Sequence, residues 1–276
     1  EIVKKNIKNE FKIYAIDDPK MYTSNPRDPY KTSTMQQDAI NKLGWQVSKA
    51  TSVAQHLYEG IKINGEHTAL ISYPRTDSIR ISENFVKKLK PYIIKRFGEK
   101  YYFERTFINK GNSQNTQDAH EAIRVIDPTV TPESLRKLIT RDEYKLYKMI
   151  WVRTLAAFMA PSKFENVIVR LESNKNKFYT FNRRMVFDGF RIIYNPFEDA
   201  NTPHDIGLKK LKINESLKLD KAEVKEHEST PPPRYNQASL IKALDEAGVG
   251  RPSTYKSMAN MALERGYARL ENRAYV

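Results

Sequence analysis

TRDEYKLYKMIWVRTLAAFMAP, residues 140–161, and SKFENVIVRLESNKNKFYTF, residues 162–181, divide the chain into two kinds of structure. In the first stretch Tyr144, Tyr147, Ile150, Trp151 and Leu155 recur at steps of three and four, the signature of one buried helix face. Thr140 and Glu143 have capping-box spacing at its start, and Pro161 stops it. In the second, Asn166–Leu171 and Lys177–Phe181 read as strands, with Ser173-Asn174 as the turn between them.

Working towards the N-terminus, helical spacing persists. Ser33 is expected to cap a helix holding Met35, Ile40 and Leu43, closed by Gly44. Ser48 is expected to cap a second, with Val53 and Leu57 inward and Gly60 at its end. Ser82 opens a third, with Phe85, Leu89 and Ile93 inward and Gly98 beyond. Residues 29–161 are therefore mostly helical by pattern. Before them, Phe11–Ile16 alternates like a half-buried strand, and the Pro-rich run from Asp17 to Pro29 is a connection. Towards the C-terminus, Met185–Tyr194 and Leu217–Val224 read as further strands, and STPPP at 229–233 as a stiff linker. Two last helices follow. One runs from Asn236 to Ala247 and ends at Gly248; the other is capped by Ser253 or Thr254 and ends at Gly266.

Composition limits the chemistry. Lys and Arg number 47 against 33 Asp and Glu, a net charge of +14 that favours a polyanionic partner, most simply nucleic acid. The 276 residues contain no Cys, which excludes disulfides, thiolate metal sites and cysteine nucleophiles. The reducing cytosol fits. No run has the ~18 uncharged apolar residues of a membrane span, since Arg153 interrupts the most apolar stretch, Trp151–Pro161. The chain shows no signal-peptide pattern, opens with Glu1 instead of Met and stops at Tyr275-Val276 within a strand-like stretch, so a fragment of a larger protein is expected.

Three segments carry candidate chemistry. In ISYPRTDSIRIS, 71–82, Pro74 disfavours helix at Tyr73, so Tyr73, Arg75 and Asp77 can share one face of an extended segment. A phenol can attack a phosphodiester, and a guanidinium can hold its oxygens in a two-pronged contact. By spacing alone an edge strand with a surface Tyr is the plainer reading. In QDAHEAIR, 117–124, a helix would point His120 and Arg124 the same way, towards a phosphate or a proton relay; a solvated helix is the plainer reading. In GVGRPSTY, 248–255, two glycines, an arginine and hydroxyls precede a helix N-terminus, where anions dock. It lacks the Gly-Lys-Ser/Thr ending of a nucleotide-binding P-loop, and an ordinary loop and cap would look the same. His56, His67, His204 and His227 show no metal spacing, and no Asp-x-Asp pair suggests a Mg²⁺ site. Tyr22, Tyr30, Tyr92, Tyr101 and Tyr102 lie among Lys and Arg, which suits base stacking as well as surface packing.

Taken together, PYKTSTMQQDAINKLGW (29–45), AQHLYEGIKINGEH (54–67), LISYPRTDSIRIS (70–82), NTQDAHEAIRVIDP (115–128), FDGF (187–190), PPPRYNQASLIKALDEAGVGRPSTY (231–255) and ERGYARLENR (264–273) resemble the type IA DNA topoisomerases, bacterial topoisomerase I branch, in the family's order and over most of the chain. The resemblance implies a toroidal core of mixed α and β structure, with a helical tyrosine domain (30–161) inserted into a β-rich arch (1–29 and 162–222). Residues 223–276 would begin the domain that grips single-stranded DNA. It implies that Tyr73 is the nucleophile joined to a 5′-phosphate, that Arg75 contacts the scissile phosphate and that His120 belongs to the same neighbourhood. Arg124, Arg251, Ser253, Thr254 and Arg265 would contact DNA. It further implies a monomeric, cytoplasmic, nucleoid-associated enzyme that needs no ATP and uses Mg²⁺ held by a Toprim domain, which this chain lacks. Pro74 stands where this branch usually has Met or Ile, a feature of topoisomerase III. The GRPSTY loop argues against that branch, and reverse gyrase keeps a similar loop. A DNA-binding module without catalysis, its Tyr73 merely stacking on a base, is the rival of another class. A tyrosine recombinase or relaxase is disfavoured, because neither an Arg-His-Arg set nor a His-rich metal triad has the required spacing.

Overall fold

The computed structural model describes residues 7, 9–63, 65–108, 120–194 and 211–276, apart from the Asn182 side chain. Two compact units emerge: residues 1–25 with 161–231, and residues 26–160 with 232–276.

The first unit is a five-stranded antiparallel sheet built on a long hairpin. Its strands are β1 (Glu10–Ile16), β2 (Lys20–Ser24), β5 (Ser162–Ser173), β6 (Asn176–Phe187) and β7 (Ser216–Lys218). β5 carries β6 along one side; along the other it pairs first with β2 and then with β1. The tight turn falls one residue later than the spacing suggests. Asn174 and Lys175 take it, with φ of 48° and 65°. Two positive φ values match the right-handed twist of a hairpin, and Asn tolerates them well. Ile13, Phe164 and Val169 are buried in this unit. Tyr14 forms a bulge, because the register shifts between Ile13 and Ala15.

Two strand expectations are corrected. Met185–Tyr194 is strand only to Phe187; Gly189 then takes φ 53° and the chain winds into a 3₁₀ turn over Gly189–Ile193. Leu217–Val224 reduces to β7, because β1 offers partners only from Glu10 to Lys12 on that edge.

The second unit is helical: α1 (Thr32–Leu43), α2 (Val47–Glu59), α3 (Glu83–Phe97), the short α4 (Pro132–Leu135), α5 (Arg141–Ala156), α6 (Gln237–Glu246) and α7 (Tyr255–Glu264). Small hairpins β3–β4 (Ile61–Ile63, Glu66–Thr68) and β8–β9 (Leu270–Glu271, Ala274–Tyr275) complete it. The capping box opens α5 as its spacing requires: Thr140 Oγ1 accepts from the Glu143 N–H, and Glu143 accepts from the Thr140 N–H. Tyr147, Ile150, Trp151 and Leu155 are buried, each such apolar side chain contributing about 1.5–3 kcal/mol. Gly44 ends α1 in the left-handed region, φ 70°.

The caps at Ser33 and Ser48 are not observed. Lys31 and Gln46 stand at those positions, and both serines lie inside their helices. Their hydroxyls serve other segments. Ser33 Oγ donates to Asp245 at 3.1 Å, and Ser48 Oγ accepts from Asn260 at 3.4 Å. Ser82 does precede α3, but its side chain bonds Glu121 instead of the helix end. Val47, Ile241, Tyr255 and Ala259 form a core that seals α6 and α7 against α1 and α2.

Candidate active site

The tyrosine segment is neither helix nor strand: the chain bends at Ser72, Pro74 and Arg75, and burial alternates from Tyr73 to Ser78. Pro74, Thr76 and Ser78 are buried, whereas Tyr73 and Asp77 are half-buried and Arg75 is exposed. The buried set fixes the segment. Thr32, the first residue of α1, exchanges backbone and hydroxyl hydrogen bonds with it. The Thr32 N–H donates to the Thr76 carbonyl at 2.8 Å, and Thr32 Oγ1 accepts from the Thr76 N–H at 2.9 Å. The Ser78 N–H in turn donates to Thr76 Oγ1 at 3.0 Å.

The far side of the segment is held by residues 120–126, which correct the helix expected there. Gln117–Ala119 lie outside the described residues. From His120 onward the chain is extended, bridging Tyr30 at Ile123 and Ile71 at Val125. Ser72 and Arg124 exchange bonds of 2.9 Å in both directions, and Ser72 Oγ donates to the Ala122 carbonyl at 2.7 Å. Ala122, Ile123 and Val125 are buried between these neighbours. Pairing across distant segments outweighs the local helical pattern.

This arrangement brings Tyr73 and His120 together, with ring centroids 5.3 Å apart and an interplanar angle of 33°. The Tyr73 ring also meets Tyr58 of α2 edge-on, again at 5.3 Å. Tyr58 has no sequence signal of its own beyond lying on the outer face of α2. The ring is clamped, while no described residue hydrogen-bonds its hydroxyl, and Arg75 has no carboxylate partner among the described residues. Arg124, by contrast, is occupied. Its Nε donates to Glu121 at 2.6 Å, and its guanidinium lies 4.2 Å from the Phe85 ring centre. Glu121 titrates below the usual range. Burial opposes this, but the bonds from Arg124 and Ser82 outweigh it.

GRPSTY forms a tight loop before α7. Gly248 and Gly250 have φ of 66° and 83°, and a Cβ on Gly250 would sit 2.7 Å from Met258 Sδ. Arg251, Ser253 and Thr254 are exposed; Thr254 Oγ1 accepts from the Arg251 N–H at 2.8 Å, closing the loop. The loop is tied down by Asp245. Lys31 Nζ lies 2.7 Å from its carboxylate, and Ser33 and Tyr255 hydroxyls donate at 3.1 Å. Burial, and then the neighbouring Asp245 carboxylate, push the Tyr255 phenol well up. Arg265 is exposed at the other end of α7, about 15 Å along at 1.5 Å per residue.

An open cleft of about 440 Å³ adjoins the tyrosine segment, lined by Arg27, Lys31, Asp38, Asp77 and Arg153 among others. Its floor is a buried pair, Arg153 and Asp38 at 2.6 Å, with the Tyr30 hydroxyl also donating to Asp38. Among the described residues no three His, Asp or Glu gather where they could hold a metal. Glu121 and Asp38 are already paired with arginines, so these residues do not supply a magnesium site.

No helix among the described residues is long and apolar enough to cross a membrane. A family model described as DNA topoisomerase matches residues 1–276. DNA topoisomerase 1 of Mycoplasma genitalium is 48% identical over 270 residues, covering 96% of this chain and 38% of that protein. The enzyme of the same name from Mycoplasmoides gallisepticum is 44% identical over 281 residues, 100% of this chain and 39% of that protein. The crystal structure of full-length topoisomerase I from Thermotoga maritima superposes with a TM-score of 0.84 at 33% identity, covering 99% of this chain and 44% of that one. Spanning under two-fifths of the two curated relatives and sharing the type IA topoisomerase fold, the chain belongs to the bacterial DNA topoisomerase family.

Proposed function

We propose that this chain is the central, strand-cleaving part of an ATP-independent type IA topoisomerase I that relaxes negative supercoils in DNA. Residues 30–161 serve as the tyrosine domain, inserted between the halves of an arch (1–29 and 162–222) in a toroidal core, and 223–276 begin the domain that grips single-stranded DNA. The division into a sheet unit and a helical unit supports this reading, although 232–276 pack into the same compact unit as 26–160. The working setting is a monomer on DNA in the cytoplasm, at the nucleoid.

Tyr73 Oη attacks a backbone phosphorus. The new bond is Tyr73 Oη–P and the broken bond is P–O3′. The phenol proton is released, and the departing 3′-oxygen takes up a proton. A phenol ionises near pH ~10, so charge stabilisation must lower the barrier at neutral pH. Arg75, on the accessible face with Tyr73, holds the non-bridging oxygens as charge builds. His120, stacked beside the phenol ring, orients it and is within the reacting neighbourhood. Arg251, Ser253, Thr254 and Arg265 hold the strand, and Arg124, paired with Glu121, adds a further DNA contact. One phosphodiester replaces another of similar energy, so resealing needs no ATP. Magnesium would be held by the carboxylates of a Toprim domain in the full-length enzyme.

The observation that carries the reading is the Tyr73 ring held between contacts with Tyr58 and His120, its hydroxyl without a hydrogen-bond partner among the described residues, two positions from the exposed Arg75. The test is a denaturing gel of the full-length protein with end-labelled single-stranded DNA. A covalent adduct that disappears in Tyr73→Phe is expected; an adduct that persists, or none in the parent, would leave a non-catalytic DNA-binding module. The isolated chain should bind single strands without relaxing supercoils, with a log–log salt slope of about −4 if about six phosphates are neutralised.

A further inference from the structure

The sheet unit carries a second feature, remote in sequence from Tyr73 and used by none of the chemistry above. Along β6 the side chains of Lys177, Tyr179, Phe181 and Arg183 alternate onto one face, since side chains two apart share a face. Tyr179 and Phe181 are 72% and 67% exposed, far more than large aromatics on a sheet normally are. At one end of the stripe Lys177 lies over Tyr14; at the other Arg183 lies over Tyr22, 4.2 Å from its ring centre. Tyr14 and Tyr22 are themselves 37% and 47% exposed. From Lys177 to Arg183 the stripe is about 20 Å long at ~3.3 Å per residue.

Its charge is not neutralised in the usual way. Arg183 makes no ion pair among the described residues, and its Nε has no hydrogen-bond partner. It rests on aromatic faces, and so does Arg191, whose guanidinium lies 5.4 Å from the Phe164 ring that Arg183 also covers. Burial, and then repulsion from Arg183, make Arg191 easier to deprotonate than a free arginine. Two guanidiniums held side by side on rings, next to bare aromatic faces, are complementary to an anionic chain with flat groups.

We propose that this face of the sheet is a second, non-catalytic binding surface for single-stranded nucleic acid, whose bases stack on Tyr179 and Phe181 while Arg183 and Lys177 meet the backbone phosphates. The surface works whether or not Tyr73 is a nucleophile. A duplex keeps its bases stacked on one another and cannot use it in this way.

The test uses the whole chain with Phe181→Trp, a conservative change at an exposed position, titrated with a short oligothymidine. Tryptophan emission should be quenched to saturation, with a log–log salt slope near −2 for about three phosphates. Tyr179→Ala in that background should weaken the quench-derived affinity by about five- to a hundred-fold. Tyr179→Trp serves as the second reporter should the first fail to fold. Anisotropy of the labelled oligonucleotide, read in parallel, reports binding anywhere on the chain. Rising anisotropy with silent tryptophan overturns the proposal and leaves the reading of Tyr73 untouched. Equal quenching by a duplex of the same length overturns stacking. Quenching by protein concentration alone, with dimers in sedimentation, would make the face an interface between two copies.

Discussion

In the helical unit Arg153 meets Asp38 at 2.6 Å, with 5% and 9% of the two side chains exposed; in the sheet unit Arg170 meets Asp17 at 2.8 Å, with 43% and 28% exposed. The pairs are alike in residue type and length and differ in solvent. The buried pair has additional partners, the Tyr30 hydroxyl and Lys42, and Arg153 lies over the Tyr30 ring. The exposed pair is two-pronged but stands in water. A short distance therefore says little about worth: desolvation makes the loss of one buried partner severe, while water replaces an exposed one. Arg75 extends the series, since it has no carboxylate partner among the described residues and remains available to an incoming phosphate.

The largest expected effect is on chemistry. In the full-length protein, Tyr73→Phe should abolish covalent adduct while leaving strand affinity unchanged. Arg75→Ala should slow single-turnover cleavage by about 10²–10³ at saturating DNA; a cure by excess DNA would move Arg75 from the reaction to simple binding. Next comes the buried pair. Arg153→Met alone should destabilise the helical unit by about 3–5 kcal/mol in denaturant unfolding, and Asp38→Leu in the same chain should restore part of it. Failure of the second change to help would mean the pair is valued for its hydrogen bonds, not its charge balance.

The same pair sets a pH dependence. Burial raises the Asp38 carboxyl, but Arg153, the Tyr30 hydroxyl and Lys42 outweigh it and hold Asp38 below its ordinary value. The folded pKa lies below the unfolded one, so this stability is fully present above the unfolded value near ~3.9 and is lost as pH falls through the folded value. Asp38→Asn should flatten the stability curve in that acid range and leave its slope at neutral pH unchanged.

A smaller effect is expected at Gly250. Ala there must hold φ +83° and displace Met258 Sδ, costing about 1–2 kcal/mol. Strand affinity should fall with it, because the GRPSTY loop changes shape. Smallest of all, Asp17→Asn should leave the unfolding midpoint where it was; a measurable shift would mean the exposed pair is more than a surface contact.

Much of this was legible before any coordinates. The α5 capping box, the β5–β6 hairpin and the alternating exposure of Tyr73, Pro74, Arg75 and Thr76 follow from neighbours in sequence, where local rules act. The readings that fail depend on remote partners. HEAIR has helical spacing, yet its backbone bonds go to Ser72, Tyr30 and Arg80. Ser33 looks like a cap, yet its hydroxyl is drawn inward by Asp245, more than two hundred residues on. At the site itself, Tyr73, Arg75 and His120 stood out from residue type and motif, whereas Tyr58 and Thr32, which hold the segment in place, carry no signal without the fold.

The Asp245 tether has a consequence for how the molecule is made. Lys31 and Ser33 leave the ribosome long before Asp245, and the seat around Val47 waits for Ile241, Tyr255 and Ala259. Residues 60–240 must be synthesised in the interval, on the order of 9–36 s at 5–20 residues per second. Throughout that time α1 and α2 present an uncovered apolar seat, so the nascent helical unit is incomplete until the last helices emerge. Slower translation across the sheet-coding region lengthens that exposure, and a chain released before α7 is made leaves the seat permanently open.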